Sequence, residues 1–264
     1  MLVTLARAFE RAGRENRLAF IPYVMAGDPD IATTEAIVAA LSAAGADAIE
    51  LGVPYSDPLA DGPTIAAAGQ RALAAGTDLS AVLAVAKRTR ERAPVVLFTY
   101  YNPVYQFGVR RFAQELAAAG AAGAIVPDVA LEESVELRAA LAEAGLAMPL
   151  LVAPSTPPGR AARIADAATG FLYVVSRLGV TGAGSAPDFG PLRRQLASLR
   201  EMTRKPLGVG FGLSRPEDVR KVAPLADAVV LGSALIDAYA GARGEEAAHR
   251  VRDFVDPLIG ALSN

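Results

Sequence analysis

The chain has 264 residues, 52% of them apolar, enough for one large barrel or two smaller domains. Its formal net charge is −2, and its 26 Lys and Arg residues are scattered along the length, so no basic stripe marks a nucleic-acid or anionic-membrane partner. It has no cysteine, hence no disulfide framework or thiolate metal site, and neither its start nor any later stretch reads as a signal peptide or a membrane span, so a soluble cytoplasmic protein is expected.

Short apolar runs recur from one end to the other: Leu18 to Val24, Ala48 to Val53, Val95 to Tyr100, Gly123 to Val126, Leu150 to Ala153, Phe171 to Val175, Leu207 to Phe211 and Ala228 to Leu231. Each reads as a strand buried on both faces. Alanine-rich amphipathic segments lie between them, such as Arg110 to Ala119 and Leu131 to Ala144, and several end in glycine (Gly45, Gly120, Gly145), the usual residue just past a helix. Eight βα units of about 30 residues predict parallel strands joined by right-handed crossovers and closed into a single (β/α)8 TIM barrel over residues 1–264. A doubly wound open sheet is the competing architecture, and the number of units favours closure.

The second of these units carries the most chemistry. Glu50 sits inside an apolar strand, where a carboxylate is costly and is either paired with a cation or functional. The loop after it, Pro54 to Pro63, has no helical or strand period, and it holds Ser56, Asp57 and Asp61. Glu50 on the strand and Asp61 on the loop can face one another across a small cavity as an acid/base pair.

Barrel enzymes work at the C-terminal ends of their strands. The residues there are Tyr23 and Met25, Glu50, Tyr100 and Asn102, Asp128, Pro154, Tyr173 and Arg177, Phe211 and Gly212, and Gly232 and Ser233. Aromatic residues make up 6% of the chain, yet Tyr23, Tyr100, Tyr173 and Phe211 all fall on this rim, which suits a planar apolar substrate. Glycine-rich turns follow strands six to eight (Gly179 to Gly184, Gly210 to Gly212, Gly232-Ser233), and backbone N–H groups exposed there suit a phosphate. The only histidine, His249, falls in a polar helical stretch, and none of the three lysines, Lys87, Lys205 and Lys221, is placed for a Schiff base at the catalytic end. No metal site is expected, and a carbon–carbon cleavage here must use the substrate as its own electron sink.

The stretch Ile49 to Ile65, IELGVPYSDPLADGPTI, closely resembles the signature of the tryptophan synthase alpha chains. Phe20 to Tyr23, Thr99 to Pro103, Ser176 to Gly182, Val209 to Gly212 and Gly232-Ser233 extend the resemblance over about residues 9 to 260. It implies retro-aldol cleavage of indole-3-glycerol phosphate to indole and glyceraldehyde 3-phosphate in tryptophan biosynthesis. Glu50 would then be the acid/base and Asp61 the acceptor of the ring N–H. The resemblance places the indole against Tyr23, Tyr100, Ile125, Val152, Tyr173, Thr181 and Phe211, and the phosphate against Gly182, Gly212, Gly232 and Ser233. It also implies a beta chain in a complex of two alpha and two beta chains, with Asp57 in the contact. No cofactor is implied in this chain; pyridoxal phosphate is expected only in the beta chain. Two departures are visible: Met25 stands where the family more often has threonine, and the residues after Gly182 are less basic than usual. A lyase working alone, or a non-catalytic subunit that only activates a partner, are the alternative readings; intact Glu50 and Asp61 argue against the second.

Overall fold

The structure, a computed structural model, describes residues 4–176, 189–210, 212 and 214–263. Its strands are β1 (Ala19–Met25), β2 (Ile49–Gly52), β3 (Val95–Phe98), β4 (Gly123–Ile125), β5 (Leu150–Val152), β6 (Leu172–Val175), β7 (Leu207–Gly210) and β8 (Ala228–Leu231). Each coincides with one of the apolar runs to within a residue or two at either end. They are almost wholly buried because helices cover their outer faces while side chains fill the interior.

All pairings found are parallel, in the order β4-β3-β2-β1-β8-β7-β6-β5. The remaining seam, between β4 and β5, is closed by a single bridge, Gly123 to Ala147, with Ala124 N donating to Ala147 O and Ala147 N to Ala122 O, both at 3.0 Å. The result is the expected barrel, nearly closed. A side chain on Gly123 would stand 2.2 Å from the Ala147 carbonyl oxygen, which belongs to backbone and cannot rotate aside. Gly123→Ala is therefore expected to lower the unfolding free energy by about 1–3 kcal/mol, read from urea denaturation; an unchanged midpoint would show that the seam tolerates separation.

Local signals act as the sequence reading expected. Gly45, Gly120 and Gly145 follow their helices with φ of 98°, 78° and 72°, the left-handed conformation that stops a helix cheaply. Asp30 and Asp78 cap the helices Ile31–Ala43 and Leu79–Thr89 through the N–H groups of Thr33 and Ala81.

Charge at the N-terminal rim is structural. Asp47, buried before β2, accepts from Phe20 N and is gripped by Arg11 and Arg17. Asp227, before β8, repeats the device with Leu207 N and Arg200. Lys205 Nζ donates to the carbonyls of Ala165, Asp166 and Ala168, closing the end of the helix Pro158–Ala167. Among the described residues no helix is long and apolar enough to cross a membrane.

Candidate active site

Gly52 fixes which face of β2 looks inward. A Cβ placed on it would lie 2.1 Å from the Tyr23 hydroxyl, so Gly52 and Tyr23 share the interior, and strand alternation puts Glu50 there too. Tyr23 and Glu50 are partners in the β1–β2 register. The same packing recurs across the barrel, where the Tyr173 hydroxyl on β6 lies 2.3 Å from a would-be Cβ on Gly210 of β7. Glycine at both positions makes room for a tyrosine from the neighbouring strand.

Glu50 is 1% exposed, and its Oε1 has no hydrogen-bond partner among the described residues. Among the described residues no cation enters its electrostatics, so none of their arginines pairs with it. Burial alone pushes its pKa up to about 8, so the carboxyl is protonated at neutral pH. Its negative charge, once formed, acts on Tyr173 and Tyr23, whose hydroxyls are raised first by burial.

Asp61 is held differently. Tyr100, at the end of β3, donates its hydroxyl to the Asp61 carboxylate and accepts from Ala60 N at 3.0 Å, so one side chain grips two consecutive loop residues. The Tyr55 ring lies against the Tyr100 ring, centroids 5.4 Å apart, and Asn102 Nδ2 donates to the Tyr55 hydroxyl. The loop from Pro54 to Pro63 is thus anchored to the residues after β3. Burial raises the Asp61 pKa, opposed by the Tyr100 hydrogen bond.

Other rim candidates have settled roles. Asp128 accepts from Tyr101 N at 2.9 Å and so supports the start of the helix Tyr101–Phe107. Ile125 and Val152 are fully buried at the ends of β4 and β5, on either side of the seam. Gly232 packs its backbone against Tyr23 and Ile65, and Ser233 opens the short helix Ser233–Tyr239. Gly212 has φ of 88°. Asp57 is exposed and accepts from the Ser56 hydroxyl. His249 is exposed and lies 3.5 Å from Asp253, as expected of a surface residue. Arg177, Thr181, Gly182 and Phe211, with the segment Leu178 to Asp188, lie outside the described residues.

The sequence listed Tyr100 only among the aromatic residues of the rim. Its grip on Asp61 spans about forty positions and has no periodic signature; the only sequence hint is that a tyrosine at a strand end carries a polar tip that must find a partner.

Taken together, a protonated carboxyl sealed in the wall, a second carboxylate poised on an anchored loop, and a buried tyrosine, Tyr23, on which the charges of both act form a site suited to moving a proton on an apolar ring. Residues 9–258 match the family model described as tryptophan synthase alpha chain. Among curated proteins, the tryptophan synthase alpha chain of Gloeobacter violaceus is 48% identical over 257 residues, covering 96% of this chain and 93% of its own. That of Geobacter sulfurreducens is 41% identical over 262 residues, 98% and 99% of the two chains. Among solved structures, a tryptophan synthase chain from Mycobacterium tuberculosis superposes with a TM-score of 0.91 at 37% identity over the full length of both. Tryptophan synthase subunit alpha from Legionella pneumophila gives 0.88 at 31% identity, covering 98% and 97%.

Proposed function

The chain belongs to the tryptophan synthase alpha chain family, whose reaction is the cleavage of indole-3-glycerol phosphate, and we propose that Glu50 and Asp61 carry that reaction here. The carrying observation is the buried, cation-free carboxyl of Glu50, pushed up to about 8 and so protonated at neutral pH. Glu50 delivers its proton to C3 of the indole. The ring becomes an indolenine whose C=N⁺ draws the electrons of the bond to the side chain. As that bond breaks, the Glu50 carboxylate takes the proton of the neighbouring hydroxyl, the aldehyde forms, and the electrons restore the aromatic ring. Glu50 ends the cycle protonated. Asp61 accepts the ring N–H and opposes its growing positive charge, at a position supported by Tyr100 and Ala60.

In this reading the indole lies among Tyr23, Tyr100, Ile125, Val152, Tyr173, Thr181 and Phe211. The phosphate is received by backbone N–H groups at Gly182, Gly212, Gly232 and Ser233, and residues 1–264 form one domain. What supports the phosphate assignment is the family match together with glycine after β7 and β8, Gly212 exposed and Gly232 half-buried. The chain needs no cofactor of its own and works in the cytoplasm. A beta chain carrying pyridoxal phosphate docks on this rim in a complex of two alpha and two beta chains. Asp57 lies in the contact, and Leu59 on the same loop is 76% exposed.

The purified chain is expected to release indole from indole-3-glycerol phosphate, and the cognate beta chain is expected to accelerate it by roughly 10²-fold, the gain from favouring a sparsely populated closed state by about 3 kcal/mol. Asp57→Ala should blunt the acceleration and spare the basal rate. Equal rates with and without a demonstrably bound beta chain would mean that the lyase works alone, and no release in either case would leave only an activating subunit.

A further inference from the structure

Tyr23 is 5% exposed, and among the described residues its hydroxyl has one hydrogen-bond partner, the Met25 sulfur at 4.0 Å. A thioether is a weak acceptor, so this buried O–H is poorly satisfied, a condition that native interiors tolerate where a ligand completes the site. The side chain crosses the rim from β8 to β2. Its Cβ lies 3.7 Å from where a Cβ would stand on Gly232, while its hydroxyl lies over Gly52. The charge of Asp61 acts on the hydroxyl, after burial itself, and that of Glu50 acts more weakly. The Phe98 ring, edge to face at 5.8 Å, holds the tyrosine from the other side.

Tyr23 therefore bridges the carboxylates assigned to the indole and the glycine assigned to the phosphate. In indole-3-glycerol phosphate those two ends are joined by a three-carbon chain bearing two hydroxyls. We propose that the Tyr23 hydroxyl is a specificity-determining contact for this linker, donating to one of its hydroxyl oxygens in exchange for the Met25 sulfur. The inference rests on the substrate placement proposed above and adds a chemical discrimination to it. The ring of Tyr23 packs against any indole, whereas its O–H distinguishes a hydroxylated linker from a bare one. Exchanging a sulfur acceptor for an oxygen favours the hydroxylated ligand.

The test compares two ligands: indole-3-glycerol phosphate, and 3-(indol-3-yl)propyl phosphate, which keeps the ring and the phosphate but has no hydroxyl. Tyr23→Phe is expected to lower kcat/KM for the glycerol phosphate by about tenfold, the usual worth of one net hydrogen bond, and to leave the inhibition constant of the propyl phosphate unchanged. Met25→Leu, which removes the sulfur and keeps the hydroxyl, is expected to preserve the parent's preference between the two ligands. Equal losses for both ligands in Tyr23→Phe would assign the tyrosine to packing, and no loss for either would leave its hydroxyl without a ligand. A loss of preference in Met25→Leu would trace the effect to the sulfur's packing. Each of these three results overturns the proposal. If the parent enzyme itself failed to bind the propyl phosphate in competition with substrate, the placement of ring and phosphate would be wrong, and the contact would fall with it.

Discussion

Glu50→Gln is expected to lower the turnover number for indole release by about 10²- to 10⁴-fold, the usual contribution of a general acid/base. The amide has nearly the same shape and volume, so the site keeps its form while losing the group that gives the proton to C3 and takes one back from the neighbouring hydroxyl. Two further readouts separate this role from a merely structural one. In the parent enzyme kcat/KM should fall as pH rises through about 8, where the carboxyl loses the proton it delivers, and the residual activity of the glutamine variant should lack that limb. The parent's stability should also fall as pH rises. Between the ordinary carboxyl value of 4.5 and about 8, the unfolded chain has released a proton that the folded chain retains. The unfolded state therefore binds fewer protons, and the parent loses stability as pH rises across that window. The burden reaches on the order of 4–5 kcal/mol at most above pH 8 and vanishes below the ordinary value, and glutamine does not bear it. Glu50→Gln should accordingly raise Tm at pH 9 and change it little at pH 4. Near-parental turnover in this variant would remove Glu50 from the chemistry, and an equal Tm gain at both pH values would remove the buried ionisation from the account.

The second large effect is expected at Asp61. Asp61→Asn replaces an ionised acceptor by a neutral one at the ring nitrogen, where positive charge develops as C3 is protonated. Removing one preorganised electrostatic contact of this kind typically costs about 10²- to 10³-fold in kcat. The loss should fall on kcat more than on KM, because the interaction strengthens only as the ring becomes cationic. Tyr100→Phe should reproduce part of it, since it removes the hydroxyl that grips Asp61 and Ala60 and leaves the carboxylate in place. An unchanged turnover number in Asp61→Asn would show that another group meets the ring nitrogen.

The barrel was legible in the sequence because its causes are local. A strand covered on both faces needs a few consecutive apolar residues, three to seven here, a helix needs its stop at glycine, and both patterns lie within a few positions of each other along the chain. Glu50 stood out for the same reason, being a charge inside such a run. Whether that charge had a partner was beyond the sequence: any of the arginines before β2 could have met it, and Arg11 and Arg17 in fact close on Asp47, three residues earlier and ahead of the strand.

Tertiary structure decided everything that depends on which strands adjoin. It made Tyr100 the holder of Asp61, and it committed Asp128 to Tyr101 N. It also gave Gly52 and Gly210 their purpose, as the room in which Tyr23 and Tyr173 lie. The physical reason is that burial, and the charges and acceptors that come with it, are set by neighbours brought together through the barrel's closure. The residue types write the chemistry a chain can perform, but their proton affinities and partners are fixed only when water is excluded around them.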